Sequence, residues 1–363
     1  HLNQTTRTEY DLAAGQIKRM IDSNGVVEER DYDAFGRLSE VRKSHPNSNN
    51  LLVMQRYEYH DTDSPSWTRQ VNYPGQSFEQ NIYTYFDGLG RTIQTREQSE
   101  TANQFRVTSI AYDEKGNVYR QSLVAFANGS GYSQPNWNSP RTEYTYDAQN
   151  RVLTEEFIGD NNHHYLTSYE YDGWNVTVID ANGNLKKFYK DAYNQLIQTD
   201  EYLNGEIYST RYEYNLLGKL TKITDSQNNA RSFAYDSLGR LLSQEEMHKA
   251  GLDDGEEFGI WTYQYDSASN LISKTDAKSQ VVAYTYDGLN RILTENYQGQ
   301  AGIEVTYTYD SGTYGKGRLY RVVSPGATTT YTYDKWGRVT KEARTIQGRL
   351  YNTQLAYNLQ SVP

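Results

Sequence analysis

The chain has no cysteine, which excludes disulfides, thiolate metal sites and thiol nucleophiles. No run of 18 apolar residues occurs, so no membrane-spanning helix is expected. Positive charge is short: 36 Lys and Arg stand against 46 Asp and Glu, a net charge of −10. That balance disfavours a phosphate-backbone partner, so no nucleic acid is expected. Apolar residues other than Tyr, with Gly counted in, make up about 34% of the chain, below the ~45–50% of ordinary globular domains. A thick, dry core is hard to build from this stock. The chain also contains no GxSxG, HExxH, P-loop or GxGxxG sequence, so those catalytic and nucleotide-binding classes have no support.

Tyrosine is abundant instead, at 35 of 363 residues, and aromatics reach 13%, too many for a disordered chain. Tyr joins a greasy ring to a polar tip, which suits a thin sheet with partly wet faces. The tyrosines fall in a repeat. The stretch "YTYDGLNRILTE" from Tyr284 has close relatives at "YEYNLLGKLTKI" from Tyr212, "FAYDSLGRLLSQ" from Phe233 and "YTYDKWGRVTKE" from Tyr331. Its motif residues are Tyr32, Asp33, Gly36 and Arg37; Tyr85, Asp87, Gly90 and Arg91; and Tyr146, Asp147 and Arg151. They continue with Tyr235, Asp236, Gly239 and Arg240; Tyr286, Asp287 and Arg291; and Tyr333, Asp334, Gly337 and Arg338. Weaker copies stand at Tyr59 and Tyr357.

Tyr-x-Tyr places two rings on one face of a strand, because side chains alternate. Asp-x-x-Gly reads as a type I turn with Asp first and Gly fourth. The Asp carboxylate accepts turn N–H groups, and Gly takes the positive φ that reverses the chain. Asn150, Asn270 and Asn290 read as substitutes for Gly, since Asn also tolerates that conformation. Arg then starts the return strand, and local Asp–Arg pairing across the turn is its expected use. A second turn follows about ten residues on, at "DSNG" 22–25, "DANG" 180–183, "DSQN" 225–228 and "DAKS" 276–279. One repeat is thus two strands of roughly eight residues, about 26 Å each. The fold class expected is all-β: a long antiparallel strip of hairpins over residues 1–363 as one continuous region. Loop insertions are expected near 60–67, 127–141 and 247–260.

These residues carry a resemblance. The recurring YxYDxxGRL pattern is similar to the YD, or RHS, repeat of bacterial Rhs polymorphic toxins, Tc toxin B and C subunits, wall-associated repeat proteins and teneurins. Residues 83–126 resemble a segment of Tc-toxin B subunits and related Rhs proteins. The resemblance implies a β-strip that spirals into a hollow shell and, in toxin members, encloses an effector polypeptide until delivery. It implies as partners the flanking RHS repeats and core domain of a parent protein, the encapsulated effector and a delivery subunit. The implied location is secreted or cell-surface associated. The N-terminus lacks an initiator Met and a signal-peptide pattern, and no Asp-Pro autocleavage region is found, so the chain reads as a segment of a larger wall.

The remaining candidate groups have plainer structural readings. A dozen similar Tyr-Asp pairs make poor catalysts, because an enzyme needs one tuned site; no catalytic residue, cofactor or metal is assigned. "DSNG" and "DANGN" lack the twelfth-position Glu of a calcium loop. His163 and His164 read as a solvated hairpin tip, and Glu155-Glu156, Glu245-Glu246 and "DDGEE" at 253–257 as charged surface. The alternative to a shell is an adhesion, carbohydrate-binding or protein-binding module, with Trp67, Trp137 and Trp261 in ligand-contact loops.

Overall fold

The computed structural model describes residues 4–12, 15–76, 79–245, 248–249, 259–297, 302 and 304–359. Most of the expected 247–260 insertion, including "DDGEE", lies outside them. The described residues form 31 β-strands and a single 3₁₀ turn, Asp160–Asn162. Neighbouring strands in sequence pair antiparallel, hairpin after hairpin. Most strands run five to seven residues, as in Val281–Tyr286 and Ile292–Tyr297, somewhat shorter than the eight expected, because the turns take residues from both ends.

The chain divides into two compact units. One comprises Glu29–Lys43 and Leu52–Ser209. Its meander is best buried at Ser66–Asn72, Gln80–Phe86, Thr92–Gln98 and Gln104–Tyr112, where Val71, Tyr85, Phe105 and Val107 pack. The other comprises His1–Glu28, Ser44–Leu51 and Thr210–Pro363. Within it, turns far apart in sequence are tied by side chains rather than by strand pairing. Asn24 Nδ2 donates to the Lys316 carbonyl at 2.9 Å, and Lys316 N–H donates to Asn24 Oδ1 at 3.1 Å. Trp336 Nε1 donates to the Ser44 carbonyl at 2.6 Å, and Lys335 Nζ to Asn49 Oδ1 at 3.0 Å.

The core is thin: only seven apolar residues among those described are buried. The alternation is clear in Ile260–Tyr265, whose exposed and half-buried positions strictly alternate, as Tyr-x-Tyr requires. The strip is therefore held by its backbone ladder, its rings and its turns.

Most motif hairpins close with one design, whereas Asp172–Asn175, Ser324–Ala327 and Ile346–Arg349 close with two-residue turns. Asp287 N–H donates to the Arg291 carbonyl at 2.9 Å, and Asn290 N–H to the Asp287 carbonyl at 3.0 Å. The fourth residue is left-handed, and the ladder shifts register between Thr285 and Tyr286. This is a type I turn followed by a left-handed residue that forms a bulge. Gly36, Gly90, Gly239 and Gly337 take φ between +76° and +90° there, and Asn150 and Asn290 take +62° and +61°. Gly239→Val is expected to lose about 1–2 kcal/mol through that left-handed φ, whereas Gly239→Asn is tolerated. The thermal midpoints of the two variants check this; equal midpoints would remove the turn argument.

Candidate functional site

The recurring unit is a clamp built on the Asp. Asp147 Oδ1 accepts the N–H groups of Gln149 at 2.8 Å and Arg151 at 2.9 Å, while Oδ2 accepts Arg151 Nε at 2.6 Å. The same three bonds recur at Asp33 with Arg37, Asp87 with Arg91, Asp236 with Arg240 and Asp287 with Arg291. At Asp334, Arg338 supplies both its N–H and its Nε. Where Asn replaces Arg, its amide Nδ2 takes the Nε place, at Asp113–Asn117, Asp180–Asn184, Asp225–Asn229 and Asp266–Asn270. First and second turns of a repeat are thus the same object. Asn270 belongs in the Arg position, not the Gly position read from sequence: Ser269 carries the positive φ of 66°.

The clamp also reaches the next repeat. Arg37 lies over the Tyr59 ring with Cζ 4.0 Å from its centroid, Arg91 over Tyr112 at 4.4 Å and Arg151 over Tyr171 at 4.2 Å. Arg240 covers Tyr265 at 4.9 Å, Arg291 covers Tyr309 at 4.4 Å and Arg338 covers Tyr357 at 4.8 Å. Those rings point their hydroxyls back. Tyr59 donates to the Leu38 carbonyl at 2.8 Å, Tyr112 to Thr92 at 2.9 Å and Tyr171 to Val152 at 2.8 Å. Among the tyrosines singled out in the sequence, Tyr146 donates to Val118 and Tyr286 to Leu271, at 2.6 and 2.8 Å, and Tyr333 donates to the Leu319 carbonyl. Several guanidiniums go on to the next turn. Arg37 Nη1 meets Asp61 at 2.7 Å, Arg291 Nη1 meets Asp310 at 3.2 Å, and Arg240 Nη1 meets the Asp266 carbonyl at 2.9 Å. Tyr, Asp and Arg therefore join one turn to the next, and their polar groups face each other.

This geometry sets the electrostatics. At Asp147 and Asp236 the N–H of the following Arg is the largest cause, and it holds the carboxyl below its ordinary value of 3.8. At Asp113, Asp180, Asp225 and Asp266 the Asn side chain leads the same lowering. At Asp33, Asp87 and Asp287 burial is the largest influence and pulls upward, but the N–H and guanidinium donors together outweigh it. A carboxyl lowered in the fold stabilises fully above its unfolded value and loses that contribution as pH falls through the folded value. Denaturant midpoints are accordingly expected to be insensitive to these groups from neutrality down to about pH 4, and to fall below that. A loss centred between pH 5 and 7 would assign acid sensitivity to other groups.

Some motif residues sit elsewhere than the sequence suggested. In "YFDGLGR" an extra residue precedes Asp87, and Phe86, paired with Thr92, holds the register place of the motif Tyr. Tyr85 turns to the opposite face, is 5% exposed, and donates to the Ser130 carbonyl at 2.5 Å. Trp67 is on the strand Ser66–Asn72, not in a loop; it stacks on His60 at 3.6 Å and donates to Asp63 at 2.7 Å. Trp261 is likewise on a strand, with Lys274 Nζ 4.7 Å from its ring centroid. Trp137 is in the 127–141 loop and half-buried. His164 pairs with Glu156 at 2.9 Å on the exposed hairpin, and among the described residues no cluster of three His, Asp or Glu could hold a metal.

The 127–141 insertion folds back over the sheet, a feature the sequence reading missed. Beneath it Gln94 and Arg96 are 1% and 2% exposed. Arg96 donates from Nε to Gln94 Oε1 at 2.9 Å, from Nη1 to the Gly129 carbonyl at 2.7 Å and from Nη2 to Ser133 Oγ at 2.5 Å. Gln94 and Ser133 exchange two further bonds, at 2.9 and 3.2 Å. Burial lowers the basicity of this guanidinium, an effect the Tyr85 hydroxyl opposes. Alternating polar residues at 94 and 96 look like a wet strand face; only the polar, Gly-rich insertion signalled a cover.

Comparison with known proteins agrees with this geometry. The RHS Repeat family matches residues 214–246 and 265–300. Double-stranded DNA deaminase toxin A of Burkholderia cenocepacia is 30% identical over 125 residues, covering 33% of this chain and 8% of that protein. Toxin protein Tse5 of Pseudomonas aeruginosa is 25% identical over 157 residues, covering 33% of this chain and 12% of that protein. The chain thus spans about a tenth of the length of these relatives. Among solved structures, TcdB2-TccC3-Cdc42 superposes with a TM-score of 0.70 at 13% identity, over 98% of this chain and 27% of that one. TcdB2-TccC3-TEV gives 0.69 at 12% identity, over 99% and 27%. These two likenesses establish a shared fold.

Proposed function

From the premise that the chain is an RHS-repeat protein, we propose that residues 1–363 act as one continuous stretch of a non-catalytic wall that encloses and protects a toxin polypeptide before delivery. The observation that carries this reading is the clamp. In the repeats that carry both, Asp and Arg are bound to their own turn, and Arg and Tyr to a neighbouring repeat, which is the use a wall makes of a motif. The fold shared with TcdB2-TccC3, and relatives named as toxins, support it. The partners in this reading are flanking repeats, the enclosed polypeptide and a delivery subunit, and the setting is a secreted or cell-surface toxin. Protection comes from confinement: a protease cannot cut a chain it cannot reach.

The test uses the natural full-length protein and limited proteolysis. The enclosed polypeptide is expected to survive while the strip is intact, and to be digested in a variant with Asp147→Ala, Asp236→Ala and Asp287→Ala. Equal digestion with the strip intact would end the proposal. A carbohydrate-binding module has one observation in its favour. A groove of about 360 Å³ is lined by Trp261, Lys274, Asp276, Gln280, Tyr297 and Glu304, and aromatic faces with polar neighbours suit sugars. Glycan-array binding lost in Trp261→Ala would support it; no binding would leave the wall alone.

A further inference from the structure

The chain splits its sheet at one long strand, Gln104–Tyr112. Val118–Ser122 pairs with the distal part of that strand, and Ala125–Asn128 pairs with Gln104–Val107. The next strand, Arg141–Tyr146, takes over Arg120–Ser122 and leaves Ala125–Asn128 behind. Among the described residues the other edge of Ala125–Asn128 meets no strand. The direction of its free groups follows from phase. Gly129 N–H donates to the Asn103 carbonyl at 2.9 Å, so Ala127 and Ala125, two and four residues back, also bond inward. Phe126 and Asn128 therefore turn their N–H and C=O groups to the open side.

Natural open edges are guarded by charge, proline or a bulge. This one has no such guard. Residues 121–140 contain no Asp, Glu, Lys or Arg, in a chain that is 23% charged. Leu123, Val124 and Phe126 are 47%, 57% and 63% exposed beside the edge. The residues that follow cannot fold over to cover it: Gly129, Ser130 and Ser133 are held by Arg96, Tyr85 and Gln94. The Leu123 N–H is held by the Pro140 carbonyl at 2.9 Å. The edge is tied at both ends, apolar and hydrogen-bond competent.

We propose that Ala125–Asn128 binds an extended, apolar segment of another polypeptide as an added strand. Free main-chain groups at strand spacing are matched by another strand, and the uncharged flank selects apolar side chains. The occupant is another chain because the insertion itself is already fixed by Arg96. This is a gripping site on the wall and does not require a closed compartment, so it stands apart from the protection reading.

The probe is a short fluorescent peptide of alternating Val and Thr, with reduced, carboxymethylated lactalbumin as a longer unfolded chain. The wild-type chain is expected to bind both. Val124→Lys and Phe126→Lys alter exposed side chains and are expected to weaken binding about tenfold or more. Leu350→Lys, on the exposed outer strand Arg349–Gln354, is expected to leave binding unchanged. Amide exchange on the wild-type protein gives a second reading that needs no variant: the peptide should slow exchange at Phe126 and Asn128 selectively. No binding by the wild type, equal loss in all three variants, or unchanged exchange at Phe126 and Asn128 would each overturn the proposal. The outcome of the protease test bears on neither arm.

Discussion

Replacing Arg96 by alanine is expected to destabilise the protein by about 3–5 kcal/mol, the largest effect of any single substitution proposed. The guanidinium is 2% exposed, and its three partners, Gln94, Gly129 and Ser133, are all uncharged. Removing it leaves a cavity, takes the donor from the Gly129 carbonyl and leaves Gln94 Oε1 with the Ser133 N–H alone; an unmet buried polar group costs about 1–3 kcal/mol, and the cavity adds to it. Arg96→Lys keeps the charge but loses the planar fork, so its loss should be intermediate. The insertion should respond first: the 129–133 backbone is expected to become accessible to protease before the strands do. Denaturant unfolding and cleavage mapping measure both effects. A loss below about 1 kcal/mol, with the insertion still protected, would show that the strip does not depend on this latch.

The second large effect concerns a clamp. Asp287→Ala removes acceptors for the Leu289 and Arg291 N–H groups and for Arg291 Nε. It is expected to cost about 1.5–3 kcal/mol, the range for hydrogen bonds to a charged group. The chain itself supplies the control. At Asn215 the Oδ1 atom still accepts from Leu217 and Lys219 at 3.0 Å, with Lys in the Arg place. Asp287→Asn alone sets an amide against the guanidinium and should cost less than the Ala change. Asp287→Asn with Arg291→Lys copies the natural 215–219 loop and should recover part of the loss. If all three variants unfold at the wild-type midpoint, the carboxylate is not what holds the turn.

Much of the fold was legible because the repeat states its own rules. Alternating Tyr and Thr gave strands with one ringed face, and Asp followed by Gly three residues later gave the turns. The Asp–Arg contact was also legible, since four residues across a tight turn bring the two side chains together. The errors came from single-residue register. In "YFDGLGR" an extra residue puts Tyr85 on the opposite face, and in "DSASN" Ser269 fills the Gly place three residues after Asp266, so Asn270, one residue on, belongs in the Arg place. Cross-repeat contacts such as Arg151 over Tyr171 depend on how one hairpin lies beside the next, which spacing alone does not fix. The Arg96 latch depends on an insertion meeting a strand some 33 to 37 residues away, and a polar strand face gives no sign of it.

The measurement that bears most directly on the clamp as the joint between repeats is a double-mutant cycle on Arg151 and Tyr171. They belong to successive repeats, with the guanidinium carbon 4.2 Å from the ring centroid. Arg151→Met, Tyr171→Leu and the double variant would be unfolded in denaturant. A favourable coupling of about 0.5–1 kcal/mol is expected. Additive losses would mean that Arg151 serves only its own turn, and that the motif does not bind one repeat to the next.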